Sequence, residues 1–307
     1  MRWMTAAALS LFSLGIGLEV LSYERLASEG GRYSERRDAL SRPSALPAKT
    51  KTSDSAPRQI FLGFDRNEYP GDAALPLLRK VFVFTSYWLS APPGGKTNSW
   101  AGKRDLLKEQ GFGFLLLFDG RTSARVRTPD AAEKAGLEDA RAAAAAARRE
   151  GFPEGSAIFL DEEEGGRFTP PQHLYLHAWA GELERAGFRP GIYCSGIAVD
   201  EGGGSHIVTA DDIRAHIGAA EVVYWVYNDA CPPSPGCGAA HNLPLPSQSG
   251  VPYAAVWQFV RSPREKKVAR HCRGYASDGN CYAPSDKNHE WFLDMDVATS
   301  PDPSAPR

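Results

Sequence analysis

The sequence predicts an α/β protein in which eight strands and intervening helices close into a single-domain (β/α)8 barrel of the TIM type. Eight short β-rich runs extend over about 240 residues, which is the size of such a barrel. Most of the runs are continuously apolar, as expected of parallel strands buried on both faces. Several runs also end in acidic or other polar residues, which a barrel would gather at one mouth. An open doubly wound sheet is the alternative.

The predicted strands are separated by segments that are long enough for helices in many, though not all, of the gaps. In chain order they are Ile60–Asn67, Val81–Leu89, Phe112–Gly120, Ala157–Glu164, Pro190–Gly196, Glu221–Asp229, Tyr253–Val260 and Phe292–Ala298.

Three helices carry recognisable start signals. A threonine followed by a proline opens helices over residues 128–150 and 169–186, because threonine caps the first amides and proline suits the first helical position. A glycine follows the last helical residue in both cases. Thr209, with Asp212 three residues later, resembles a capping box for a third helix.

The chain outside the predicted barrel, residues 59–299, has a different composition. Residues 1–22 begin with Arg2 and an apolar run, which predicts a signal peptide or an N-terminal anchor. Residues 23–58 are rich in Ser, Arg, Glu and Pro and predict a flexible linker. Residues 300–307, with three prolines, predict a disordered tail.

Charge and cysteine content point to an exported protein. The net charge of −2 provides no electrostatic footprint for nucleic acid, so nucleic-acid binding is excluded. Among five cysteines, two pairs flank short loop-like segments, which predicts the disulfides Cys231–Cys237 and Cys272–Cys281. Neither pair has the spacing of a zinc knuckle. Cys194 lies within an apolar strand and is expected to be buried. We therefore expect an extracytoplasmic protein, secreted, periplasmic or tethered to a membrane by its N-terminal segment.

The fourth predicted strand runs directly into four consecutive acids. Because strand side chains alternate, Asp161 and Glu163 are expected on one face and Glu162 and Glu164 on the other. A pair of carboxylates at a strand end is costly to bury unless the site uses it. A solvated acidic loop is the alternative interpretation.

Acids at other strand ends would meet this pair in a barrel. They are Asp65 on the first strand, Asp119 on the third, and Asp294 with Asp296 on the last. Carboxylates that are buried together shift one another's pKa, so that one stays protonated while its neighbour is ionised. Glycoside hydrolysis requires this division of labour between two carboxyl groups.

Further residues are predicted to contact a sugar substrate. Trp88, Trp225 and Tyr227 lie near strand ends and are candidates for stacking on a sugar face. Tyr193 is interpreted as barrel wall that borders the substrate, and the Gln258 amide requires polar partners if it is buried. His173 and His177 have the i,i+4 spacing of metal ligands, but without a carboxylate between them we interpret them as helix-surface residues.

Five motifs in this order resemble glycoside hydrolase family 25 lysozymes, and the first of them, with the exported layout, is similar to the related glycoside-hydrolase-like domains of unknown function 1906. The motifs are Gly63-Phe64-Asp65, Asp161-x-Glu163, Gly191-Ile192-Tyr193-Cys194-Ser195, Trp257-Gln258-Phe259 and Asp294-Met295-Asp296. The resemblance implies a β/α barrel whose carboxylates, in the lysozymes, cleave the linkage between N-acetylmuramic acid and N-acetylglucosamine in peptidoglycan.

The resemblance also implies roles for individual residues. Glu163 matches the proton donor, Asp161 its partner on the strand, and Asp65 and Asp294 the acids of the first and last strands. Two departures stand out: the acids beside Glu163 leave the alignment ambiguous by one residue, and Asp296 stands where the lysozymes usually have asparagine.

The sequence thus predicts an exported hydrolase of cell-wall glycan that needs no cofactor. Two alternatives stay open. The chain could be a non-catalytic barrel that binds glycan or organises the envelope, since a fold hosts function only where the site is complete. It could also be a barrel that binds calcium or magnesium through Asp161, Glu163, Asp294 and Asp296.

Overall fold

A computed structural model describes residues 59–218, 220–228, 243–261 and 293–307. The predicted signal or anchor, the linker and all four cysteines of the two predicted disulfides lie outside these residues. Within them, no helix is both long and apolar enough to cross a membrane.

Eight strands form a closed barrel, and each lies within or overlaps one of the eight runs predicted from the sequence. This confirms the barrel and rules out the open doubly wound sheet. The order around the barrel is β1-β10-β9-β8-β5-β4-β3-β2, with β1 Phe61–Asp65, β2 Phe84–Trp88, β3 Gly113–Asp119, β4 Ala157–Asp161, β5 Arg189–Ser195, β8 Val223–Tyr227, β9 Val256–Val260 and β10 Asp294–Ala298.

A two-stranded antiparallel hairpin interrupts the regular alternation after β5. Its strands are β6, Ala198–Gly202, and β7, Ser205–Val208, and every residue of β6 is exposed. Because it follows the carboxyl end of β5, the hairpin stands on the mouth side of the barrel.

The last strand runs against its neighbours, which corrects the expectation of an all-parallel barrel. β10 pairs antiparallel with both β1 and β9. Its first residue, Asp294, is opposite Asp65, the last residue of β1, and Asp296 is opposite Gly63. The acids of β10 therefore reach the mouth because this strand begins there, whereas the parallel strands end there.

The two long helices form as predicted. α3, Pro129–Arg149, begins at Thr128, whose side chain accepts a hydrogen bond from the Ala131 amide. α4, Pro170–Arg185, has a complete capping box between Thr169 and Gln172. The two helices approach closely at Gly136, where a Cβ atom would lie 2.3 Å from the Tyr175 carbonyl oxygen.

The predicted capping box of the third helix is wrong. α5 spans Thr209–His216 and its N-cap is Val208. The Thr209 hydroxyl instead bonds to the backbone of Gly166, and the Asp212 carboxylate accepts from the Phe168 amide at 2.9 Å. Both side chains tie α5 to the loop after β4 and do not cap their own helix.

The remaining helices of the described residues are short. They are α1, Leu75–Leu78, α2, Arg104–Glu109, and single 3-10 turns at Asp72–Ala74 and Pro246–Gln248.

The C-terminal tail is ordered against the floor of the barrel, which corrects the expectation of disorder. The amide of Leu116 donates to the Ser304 hydroxyl at 3.0 Å, and the Phe114 amide donates to Asp302 Oδ1 at 3.0 Å. The Ser304 amide also donates to the Phe114 carbonyl oxygen, and the Ala157 amide donates to the Ser304 carbonyl oxygen. These strand starts offer unpaired backbone groups, and the tail satisfies them.

Candidate active site

A cavity of about 360 Å³ opens at the mouth of the barrel, where β1, β4 and β5 end and β10 begins. It contains eight of the eleven residues predicted for the site: Asp65, Trp88, Asp161, Glu163, Tyr193, Trp225, Gln258 and Asp294. The barrel thus brings acids from both ends of the sequence into one pocket.

The four acids at the end of β4 separate onto two faces as strand alternation predicts. Asp161 and Glu163 line the mouth cavity. Glu162 is buried on the opposite face, and Glu164 accepts hydrogen bonds from Ser123 and Gln172. This placement assigns the Asp-x-Glu pair of the pocket to Asp161 and Glu163.

Asp161 is a buried carboxyl group beside other acids. Burial raises the pKa of Asp161 well above its ordinary range, and the charges of Glu163, Asp119 and Asp65 raise it further. Its Oδ1 atom has no hydrogen-bond partner among the described residues. A protonated carboxyl group that borders the cavity can hydrogen-bond to a ligand.

The exposed position of Glu163 contrasts with that of Asp161. Glu163 lies one residue beyond Glu162 in the loop that follows β4, and its side chain is accessible from the mouth. The Tyr227 hydroxyl donates to the Glu163 carbonyl oxygen at 2.9 Å and so holds the backbone of this loop to β8. A substrate at the mouth can therefore reach the carboxyl group of Glu163.

A second pair of acids, Asp65 and Asp296, lies across the barrel. Burial raises the pKa of Asp65 to about 6, although hydrogen bonds from Gln258 and Asp296 lower it. Burial, the charge of Asp65 and the hydrogen bond to it raise the pKa of Asp296 well above its ordinary range. Asp296 therefore holds the proton that the two carboxyl groups share.

Aromatic and amide side chains orient this pair. The Tyr193 hydroxyl donates to Gln258 Oε1 at 2.9 Å, and Gln258 Nε2 donates to Asp65 Oδ2 at 2.8 Å. The Trp225 indole donates to Asp296 Oδ1 at 3.0 Å. Tyr193 and Asp65 are thus the polar partners that the buried Gln258 amide needs.

Three predicted substrate-binding residues do not line the cavity. Asp296 is fully buried beneath it, and Tyr227 is buried with its hydroxyl on the Glu163 loop. Asp119 is half-buried nearby; burial raises its pKa, which Arg125 partly offsets. The edges of Trp88 and Trp225 border the cavity, but both rings are at most 3% exposed, so they form wall and not an open stacking platform.

Sequence reasoning missed several lining residues. Arg66, Asn67 and Glu68 follow Asp65 directly, and Arg261 follows the end of β9. The strand-end criterion that selected Asp65 could have found them, because chain that continues past a strand end stays at the mouth. Arg66 and Arg261 place positive charge beside the acids.

A calcium or magnesium site formed by Asp161, Glu163, Asp294 and Asp296 is the alternative interpretation of these acids. Among the described residues, they do not bring three ligand oxygens within 4.8 Å of one another.

Paired carboxyl groups at the mouth of a closed barrel define a glycoside-hydrolase-like barrel protein. A family model described as "Rv2525c-like, glycoside hydrolase-like domain" matches residues 93–269, more than half of the chain. The chain belongs to this family. No curated protein sequence is detectably similar to it.

Solved structures share the fold at low identity. An uncharacterized protein of B. stearothermophilus is 18% identical with a TM-score of 0.51, covering 78% of this chain and 95% of that one. The bacterial lysozyme from Streptomyces coelicolor is 14% identical with a TM-score of 0.44, covering 77% and 90%. A family 25 glycosyl hydrolase from Bacillus anthracis is 13% identical with a TM-score of 0.42, covering 78% and 89%. The first of these supports the fold.

Proposed function

We propose that the protein hydrolyses a cell-wall glycan, peptidoglycan, at the mouth of its barrel. The observation that carries this proposal is the joint placement of Asp161, Glu163 and Asp65 in one cavity, with Asp296 buried beneath the cavity. Membership in a glycoside-hydrolase-like family supports the reaction class.

In the proposed mechanism, Glu163 donates a proton to the leaving-group oxygen because it is the acid of the pair that substrate can reach. Once the leaving group has departed, the Glu163 carboxylate takes a proton from the attacking water. Asp161, protonated and at the wall of the cavity, hydrogen-bonds to the substrate. Asp65, held by Gln258, is the ionised carboxylate that stabilises positive charge developing on the sugar ring. Asp294 lies beside Asp65 on the neighbouring strand and adds to this negative field.

The proposal is tested by incubating the purified full chain with peptidoglycan and measuring new reducing ends. Replacing Glu163 by Gln removes the proton donor, and we expect the rate to fall by about 10²- to 10⁴-fold. Glu68→Gln is the matched control, because Glu68 is another exposed acid of the same cavity and has no assigned role. It should leave the rate within a few-fold of the parent.

Two outcomes would count against this proposal. Equal loss in both variants would contradict Glu163 as the proton donor, because only the negative field of the mouth would then matter. Glycan binding by the parent without release of reducing ends would favour a non-catalytic glycan-binding barrel.

We further propose that the protein acts outside the cytoplasm. The apolar run of residues 1–22 and the paired cysteines support this location.

A further inference from the structure

A second cluster of chemically active side chains lies where α4 meets α5, and none of its residues lines the mouth cavity. His173 Nε2 is 2.8 Å from Asp212 Oδ2. His216 lies one helical turn beyond Asp212, and its ring stacks on that of His173 with centroids 4.0 Å apart. One ligand atom from each of the three residues lies within 4.8 Å of the other two.

The donor set selects a class of ion. Two imidazoles and one carboxylate suit zinc and neighbouring transition metals, whereas calcium and magnesium prefer oxygen ligands alone. Asp212 and His216 have the i,i+4 spacing that places two ligands on one helix face, and His173 supplies the third from α4. The three ligands come from two helices that pack against each other, so they are held before an ion arrives.

Hydrogen bonds hold the Asp212 carboxylate in place. The Phe168 amide donates to Oδ2 at 2.9 Å and orients the carboxylate. Metal ligands commonly depend on such an outer hydrogen bond.

The cluster is accessible. It borders an apolar groove of about 560 Å³, and the His216 side chain is 46% exposed. The other charge on Asp212 is Arg167, at 3.4 Å from Oδ1, and Arg167 also binds Glu201 of the β6–β7 hairpin with two shorter bonds. The strongest contacts of this arginine are thus to Glu201, which leaves the carboxylate to the histidines.

We propose that His173, Asp212 and His216 bind a zinc-like divalent transition-metal ion, with water completing its coordination. A bound ion would link α4 to α5.

The test uses the full chain after treatment with a chelator and dialysis. Thermal unfolding is followed during titration with Zn²⁺, and visible absorption during titration with Co²⁺, whose bands report nitrogen and oxygen ligation. We expect Zn²⁺ to raise the melting temperature and Co²⁺ to give a saturable absorption band.

Variants locate the ion. In His216→Ala, and in His173→Gln as a second variant, the affinity for the metal should fall by at least about 10-fold. Because His216 is exposed, the metal-free stability of His216→Ala should stay near that of the parent. His177→Ala is the matched control, because His177 lines the same groove but is not in the cluster. It should bind as the parent does.

The proposal is overturned if, in the parent, millimolar Zn²⁺ leaves the melting temperature unchanged and Co²⁺ gives no saturable absorption band. It is also overturned if both ligand variants bind as tightly as the parent, which would place the ion elsewhere in the chain.

Discussion

Asp161 and Glu162 are adjacent acids, and burial raises the pKa of both well above its ordinary range. The two side chains differ in the chemistry open to them because they face opposite sides of the sheet. Each has one enclosed oxygen without a partner among the described residues, but Asp161 borders the mouth cavity and Glu162 does not. A shifted pKa alone therefore does not identify a site residue in this protein; access to the cavity separates the two.

The Asp65 and Asp296 pair makes stability depend on pH. Native Asp65 has a pKa of about 6 against an ordinary value of 3.8, and that of Asp296 is raised well above 3.8. Because the native state binds protons that the unfolded chain releases, this contribution is fully present below the ordinary pKa and is lost as pH rises through the native values.

Replacing Asp296 by Asn should reduce this dependence, because the amide keeps the shape and cannot ionise. We expect the free energy of unfolding to fall less between about pH 4 and about pH 8 than in the parent, as measured by urea denaturation. Glu133→Gln, an exposed acid on α3, is the control and should keep the parental slope. An unchanged slope in Asp296→Asn would show that Asp296 does not hold the shared proton.

At the scale of elements, the direction of β10 has the largest consequence for the site. Side chains alternate between the two faces of a strand whichever way it points, so the residues of β10 do not reveal its direction. The antiparallel pairing with β1 places Asp294 at the mouth and Asp296 two residues deeper. A parallel β10 would reverse the depths of these acids.

The C-terminal tail acts as a further element that closes the barrel floor. Replacing Ser304 by Ala should remove the acceptor of the buried Leu116 amide and cost about 1–3 kcal/mol. Urea denaturation of the full chain measures this loss. Arg307→Ala is the control, because its ion pair with Glu221 is exposed and worth at most about 1 kcal/mol. Equal stability of Ser304→Ala and the parent would mean that the tail does not seal the floor.

At the scale of the whole molecule, export and cysteine chemistry are linked. The exported protein is expected to contain the disulfides Cys231–Cys237 and Cys272–Cys281 and one thiol, Cys194, which is buried. Titration of the denatured, unreduced protein with a thiol reagent should detect this one thiol, and all five cysteines after reduction. Five thiols before reduction would contradict both disulfides and would weaken the case for export.

Sequence alone determined the positions of the eight barrel strands, the limits of α3 and α4, and the face on which Asp161 and Glu163 lie. These features follow from local rules: apolar runs, capping residues and the two-residue period of a strand. The same rules failed for α5, where Thr209 and Asp212 have partners in the loop after β4.

Only the tertiary structure decided which distant residues meet. Gln258 binds Asp65 across 193 positions, His173 meets Asp212 across 39, and the tail reaches Leu116 across 188. Local sequence patterns do not predict these contacts, because each depends on how the chain closes into a barrel. Closure is therefore what turns separately predictable strand ends into one acidic pocket.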